Sequence, residues 1–431
     1  MVNSKKRLIS HIFPYYKINI SIKTFFMQSK NIDYSIFFIV LSLVVFGMIM
    51  ISSVSVYPSF KVTSLMPQSS FFHAFPNAFF VIKSLAHFSL GLIVLAIAVK
   101  TPYSFFERYA KHIFVACTLS LVLVLFIGTT YNGARGWINI PGLPFSLQPV
   151  EFMKFGLVIY LAYFLKKRHS QIADFYNGFL PYMFNFGIVM VLLILQPDFW
   201  SILICTPLVI AMFFVGGGNV KHLLASFGVF LIFAMSIYGL GKHATPTDRN
   251  SFSYITDRVD NFLADNKNAI QNKTINFQTE QWLIAIGSGG FFGLGFGKSV
   301  QKFGYLPEVE GDFIFSVIAE ELGFVGVLLL VGLYLYIWWR GFLIAEATQD
   351  PFGKYVATGI TTLLLTQAFI NIGVNLNILP LTGITLPFIS YGGSSLLSLM
   401  LAIGVLLNIS RTADYARVEN KTWLFRRSKM R

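Results

Sequence analysis

The run from Leu306 to Gly323 (LPEVEGDFIFSVIAEELG) sets five carboxylates, Glu308, Glu310, Asp312, Glu320 and Glu321, among strongly apolar neighbours. If a helix begins near Asp312, then Asp312, Ser316 and Glu320 share one face at i, i+4 and i+8, with Glu320 about 12 Å deeper. Such a face would line a polar cleft with an acid at its mouth, where it can take a proton from a substrate. The same residues also allow a plainer arrangement, in which Asp312 caps the helix and Glu320 pairs with a lysine inside a bundle.

A second constellation is Asn132-Gly-Ala-Arg135-Gly-Trp137 followed by Gln148-Pro-Val-Glu151-Phe-Met-Lys154. Pro149 suits a first helical turn, and Glu151 and Lys154 at i, i+3 can pair. The planar guanidinium of Arg135 can grip a phosphate or carboxylate through two hydrogen bonds, or can be paired locally within its loop. Asp198 follows Gln196-Pro197 in a tight turn, where capping alone would explain it. Further on, Tyr254 and Arg258 are four apart, and Gln278, Gln281, Gly287 to Gly290 and Gly293 follow. Glycines there let backbone amides approach an anion, although glycine-rich turns are common. The run Gly383 to Ser395, with Ser390 and Ser394, reads as a turn-rich segment with or without chemistry of its own. Seven histidines show no metal-ligand spacing, and Cys117 and Cys205 stand in separate apolar runs, so no metal site is expected.

The elements that must position these residues follow from composition. Of 431 residues, 55% are hydrophobic and 12% charged, about half the charge of an ordinary soluble domain. Apolar stretches of about 20 residues recur along the chain, each long enough to cross hydrocarbon as a helix. The fold class is therefore all-α, a polytopic membrane protein of about ten spans, near residues 34–54, 78–99, 111–129, 149–165, 178–196, 198–216, 223–240, 312–337, 355–379 and 395–410. At membrane depth an ionisable side chain marks a functional site by default; Lys83, Glu151, Lys154, Asp198, Asp312, Glu320 and Glu321 are those residues.

The net charge of +14 is explained by bilayer orientation rather than nucleic acid. With the N-terminus inside, the arm, tail and short loops on that side hold 22 Lys and Arg, counting Lys111 at a span's edge, against 2 in the short loops opposite. Both termini are expected in the cytoplasm. Residues 1–33 read as a retained cytoplasmic arm, 34–410 as the transmembrane domain and 411–431 as a basic tail. The one large outer loop spans about 241–311, its second half returning to the membrane surface. Leu379 to Ser395 has too many turn formers for a regular span and is expected as a re-entrant segment lining a protein cavity.

Taken together, GARGW (133–137), QPVEFMK (148–154), QPD (196–198), IAIGSGG (284–290), Tyr305 to Gly323 and Gly383 to Ser395 resemble, in order and spacing, the SEDS family of shape, elongation, division and sporulation proteins, from about Asp33 to Arg411. Gly295 to Pro307 is more similar to the division branch (FtsW) than to the elongation branch (RodA). The resemblance implies a peptidoglycan glycosyltransferase that polymerises lipid II, releasing undecaprenyl diphosphate. It also implies a class B penicillin-binding protein partner, other divisome proteins, and a place in the bacterial inner membrane, at the septum for the division branch. It makes Asp312 the catalytic general base. Arg135, Lys154 and Arg258 become pyrophosphate contacts with Glu151 orienting Lys154, and Gln278, Glu308, Ser316, Glu320, Ser390 and Ser394 become substrate-binding candidates. No cofactor is required with certainty; a divalent cation, Mg2+ or Mn2+, on the pyrophosphate beside Asp312 or Glu308 is the one candidate. Three departures stand out: Glu310-Gly311 where the family usually has His-Thr, Trp200 after QPD, and Asn377 in place of a frequent glycine. A lipid II transporter, an elongation-type polymerase and a division scaffold are the alternatives.

Overall fold

The computed structural model describes residues 31–67, 70–131, 134–139, 146–242, 273–306 and 308–415, together with 256, 258–260 and 262. The basic arm before Asn31, the tail beyond Tyr415, Tyr254 and most of 243–272 lie outside the described residues.

Twelve α-helices are used below: α1 (Tyr34–Val54), α2 (Val56–Thr63), α3 (Phe79–Lys100), α4 (Tyr103–Ile127), α5 (Pro149–Lys167), α6 (Leu180–Leu195), α7 (Phe199–Val215), α8 (Val220–Lys242), α9 (Lys273–Ser288), α10 (Ile314–Ala347), α11 (Pro351–Asn375) and α12 (Gly393–Ser410). Seven helical stretches among the described residues are long and apolar enough to cross a membrane: α1, α3, α4, Phe175–Leu195, α10, α11 and α12. α7 is apolar but shorter, at 17 residues. The chain is thus a multi-pass helical membrane protein, and the expected count of ten remains an expectation. One non-helical element was not foreseen: a small antiparallel sheet, β1 (Thr129–Tyr131), β2 (Ala134–Asn139) and β3 (Ser146–Leu147), in that order. It pairs Thr130 with Arg135 and Ile138 with Leu147 between α4 and α5.

α11 and α12 form the centre. α11 packs on α10, α7 and α5, while α12 packs on α3 and also touches α11 and α5. Helices buried nearly all round lose amphipathic patterning, and their polar groups must find partners inside the bundle. In α11 the hydroxyls of Thr358, Thr361 and Thr362 return to carbonyls four residues back, at 2.9, 2.7 and 2.9 Å. Outward apolar side chains such as Ile97, Leu119, Phe126, Phe184 and Leu329 are more than half exposed, as lipid contact requires.

At one end, the carboxylate of Asp33 caps α1 and accepts from Arg340 Nε and Nη2 at 3.0 and 2.6 Å, while its backbone N–H donates to Ser410 Oγ. Lys166 there bridges Glu107 and Asp350, each at 2.8 Å. The first set joins α1, α10 and α12, and the second joins α4, α5 and α11.

α10 spans 34 residues but is broken at Gly323, whose φ of +66° and ψ of −168° leave the helical region. The freed backbone groups are taken by the preceding loop. Phe324 and Val325 N–H donate to the Gly290 and Phe291 carbonyls, and Leu294 and Gly295 N–H donate to the Glu320 and Glu321 carbonyls. A Cβ on Gly323 would stand 2.3 Å from Gly293 N. The same loop is pinned by a buried ion pair, Lys302 Nζ to Glu321 Oε1 at 2.9 Å, with Ser53 Oγ also donating to Glu321. Phe291, Phe292 and Phe296 of this loop are exposed, which agrees with a return to the membrane surface.

Breaking a buried pair by removing one partner costs about 3–5 kcal/mol, whereas replacing both by apolar groups is often close to neutral. Lys302→Met is therefore expected to lower the unfolding midpoint in detergent, and Lys302→Met/Glu321→Leu to recover much of the loss. Equal midpoints for wild type and the single variant would show that the pair does not hold the loop.

Candidate active site

The loop anchored by Lys302 ends at Asp312. Gly311 and Asp312 N–H both donate to Glu308 O, at 3.0 and 3.1 Å, so Asp312 sits in a turn and α10 begins only at Ile314. The expected i, i+4, i+8 face is therefore not formed, and Asp312 does not cap the helix. Its backbone carbonyl is held instead by the side-chain amides of Asn371 and Asn375, at 2.9 and 3.0 Å. Gln367, Asn371 and Asn375, at i, i+4 and i+8 on α11, bring three amides to one face. Asn371 also donates to Ile384 O, and Gln367 to Thr385 and Ser395.

These amides fix the irregular segment after α11. From Leu379 to Gly392 the backbone is not helical and borders a cavity of about 1140 Å3, as expected for a re-entrant segment. Gly383, at φ +78°, lies against the catalytic candidate: a Cβ there would contact Asp312 Oδ2 at 3.4 Å. The Asp312 carboxylate faces the cavity, and among the described residues it accepts no hydrogen bond. Burial first, then the neighbouring Glu308 and Glu310, push its pKa up to about 7, with Arg258 acting in the opposite direction. Glu310 is likewise raised to about 7 by burial and then by Glu308.

Lys154 and Arg258 line the same cavity as this acid. Lys154, 2% exposed, is held by Glu151 Oε1 at 2.8 Å and reaches Gln367 Oε1 at 3.5 Å. Arg258 donates to Leu381 O and lies 5.9 Å from the Trp200 ring centroid, a cation–π contact. Thus Asp312, Glu151, Lys154, Arg258, Gln278, Glu308 and Ser394 line one space.

Four expected site residues do not. Arg135 is exposed, and its Nε and Nη2 donate to Gly128 O and Phe126 O at 2.9 and 2.8 Å. It closes the C-terminal end of α4, where carbonyls lack partners, so its local pairing prevails over a pyrophosphate contact. Ser316 is fully buried and donates to Asn375 Oδ1 at 2.6 Å. Glu320 accepts from Ser299 Oγ and Val300 N–H, and it is Glu321, not Glu320, that pairs with a lysine. Ser390 donates to Gly311 O at 2.6 Å and accepts from Leu386 N–H, placing it behind the acid rather than in the cavity.

With this geometry in view, comparison with known proteins is specific. The model of the cell cycle protein family of FtsW, RodA and SpoVE matches residues 34–415. The chain belongs to that family. It is 36% identical to stage V sporulation protein E of Bacillus subtilis, covering 89% of this chain and 98% of that one. It is 35% identical to a probable peptidoglycan glycosyltransferase FtsW of Geobacter metallireducens, covering 91% and 98%. Its fold matches, at a TM-score of 0.67 and 27% identity over 88% of this chain and 98% of the other, a chain of a peptidoglycan synthase complex solved to explain how polymerization and crosslinking are coordinated.

Within this family's frame, the sequence reading missed the amide face of α11, although amides every four residues in an apolar helix were a visible signal. It counted Lys83 among the ionisable residues at membrane depth without giving it a role, and it gave none to His87 and Tyr391; all three line the cavity.

Two outcomes follow from the placement. Arg135→Ala is expected to lower thermal stability by about 1 kcal/mol, as loss of a helix-end partner does, while KM for substrate stays within about twofold. A large KM rise at unchanged stability would restore Arg135 to the site. Since a base works deprotonated, kcat/KM should fall about tenfold per pH unit below pH ~7, and Glu308→Gln should move that limb to lower pH by removing a like charge. An unmoved limb in Glu308→Gln would show that Asp312 does not govern it.

Proposed function

We propose that this chain polymerises lipid II during septal wall synthesis, with Asp312 as the base. The chain is a peptidoglycan glycosyltransferase of the FtsW/RodA/SpoVE family, and the observation that carries the mechanism is one carboxylate, Asp312, sharing a single cavity with two cationic groups. Lipid II carries its sugar on undecaprenyl pyrophosphate. Attack by the acceptor GlcNAc 4-hydroxyl on the anomeric carbon forms the new glycosidic bond and breaks the bond to pyrophosphate. Asp312 takes the hydroxyl proton, while the electron pair of the broken bond leaves with pyrophosphate. Charge grows on that leaving group, so Lys154 and Arg258 contribute most in the transition state, and Glu151 keeps Lys154 aimed.

Glu308, beside the Asp312 turn, and Gln278 border the path of the sugars. Ser394 holds the wall, accepting from Gln148 N–H at 2.9 Å. Ser390, directly, and Ser316, through Asn375, hold the turn that carries the acid, while Glu320 holds the preceding loop at Ser299 and Val300. Among the described residues no three His, Cys, Asp or Glu side chains are grouped to hold a metal ion, so a divalent cation would depend on pyrophosphate oxygens together with Asp312 or Glu308. No step here requires it.

The partner is a class B penicillin-binding protein, supported by likeness to a chain from a complex that couples polymerization to crosslinking. The membrane is the bacterial inner membrane, with both termini cytoplasmic, supported by the basic bias of the short loops. A division role over an elongation role is supported by FtsW among the relatives.

Asp312→Asn keeps shape but removes the proton acceptor, and general base catalysis contributes about 10²–10⁴ in rate. Purified with its partner and given labelled lipid II, wild type should yield polymer on a gel and Asp312→Asn almost none, at equal thermal stability. Undiminished polymer from the variant would remove Asp312 from the mechanism. No polymer from wild type, with transport across sealed bilayers instead, would favour the transporter reading.

A further inference from the structure

Lys83 is the fifth residue of α3, on the face that carries Phe79 four residues before it and His87 four after. Its side chain lines the same cavity as Asp312, and its Nζ lies 4.3 Å from the Phe79 ring centroid. Among the described residues no carboxylate pairs with it, whereas Lys154, Lys166 and Lys302 each have one at 2.8–2.9 Å. His87 is 4% exposed and reaches the cavity because Gly393 has no side chain; a Cβ there would come within 2.5 Å of His87 Nε2. α3 therefore presents an ammonium and an imidazole to the cavity that holds Asp312, and among the described residues that ammonium has no carboxylate partner. A lone cation at this depth costs several kcal/mol, which a bound anion offsets.

Depth selects the anion. Lys83 lies about 6 Å and Lys154 about 7.5 Å from the first residues of α3 and α5, and both border one cavity. α3 and α5 both pack on α12 and scarcely on each other, so the two lysines approach the cavity from different walls. Joining two lipid-linked sugars brings two pyrophosphates to the same membrane level. One leaves, and the other stays attached to the acceptor.

Resting on the polymerase reading above, we infer that Lys83, with His87, forms a second anion subsite that holds the polyprenyl pyrophosphate that is not cleaved. Lys154 and Arg258 face the leaving one. A rival role for Lys83 is to neutralise Glu310, whose Oε2 is buried at the same cavity without a partner among the described residues. That role predicts rescue of Lys83→Gln by Glu310→Gln, and the subsite predicts none.

The test uses the full-length protein in lipid nanodiscs with undecaprenyl pyrophosphate as probe, counted by native mass spectrometry. Wild type should bind two molecules, Lys83→Gln one, and Lys83→Arg two. In polymerisation, Lys83→Gln should raise KM for lipid II about tenfold or more while kcat changes little, and Lys83→Arg should restore KM. If Lys83→Gln unfolds, Lys83→Met, which matches the lysine stem, takes its place. One bound molecule in wild type, two in Lys83→Gln, or rescue by Glu310→Gln would each overturn the subsite. A wild type that binds two molecules but makes no polymer would sink the polymerase reading and leave the subsite standing.

Discussion

Inside a bilayer a backbone N–H or C=O that leaves a helix has no water to turn to, and each such group must be met by the protein itself. Among the described residues, helical order breaks at membrane depth at Gly323 within α10 and between α11 and α12. Both breaks are closed by specific partners. The Gly290–Gly295 loop completes the first through four backbone hydrogen bonds, and the amides of Gln367 and Asn371 brace the second. Asp312 stands between the two repairs, at the end of the loop that closes one and against the segment that forms the other. Its position depends on both.

The charges are arranged by the same rule. Away from the cavity, Lys302 is paired with Glu321 and Arg340 with Asp33 where they lie. Those at the cavity keep capacity for a ligand. Lys154 is aimed by a single carboxylate oxygen, the other oxygen of Glu151 having no partner among the described residues, and Asp312 accepts no hydrogen bond there. An acid stripped of donors and crowded by Glu308 and Glu310 gives up ionisation easily, which makes it a better proton acceptor near neutral pH.

The three departures from the family pattern find physical settings. Asn377 adopts φ +54°, the left-handed region where glycine is free and asparagine is tolerated, so the turn after α11 survives the exchange. Trp200 supplies the ring beneath Arg258. Glu310 lies in the Asp312 turn, where its backbone carbonyl accepts from Tyr391 N–H at 2.8 Å, tying that turn to the re-entrant segment.

Much was legible in the sequence because membrane burial leaves strong one-dimensional signals. Apolar runs of helical length, the turn formers between Leu379 and Ser395, and the pairing of Glu151 with Lys154 are local properties, and each has its counterpart in the structure. What spacing could not decide was direction. Arg135 had the chemistry for a phosphate but its fork is consumed by two carbonyls at the end of α4, a contact set by how β2 folds back over that helix end. Ser316 and Glu320 had helical spacing from Asp312, yet the turn at Glu308 delays the helix and rotates them away. Lys83 lies about 230 residues before Asp312 and reaches the same cavity because α3 packs on α12. Sequence alone determined the solvent of each segment and the residues able to do chemistry; the tertiary structure decided which of them share a space, because hydrogen-bond partners distant in the chain fix where each side chain points.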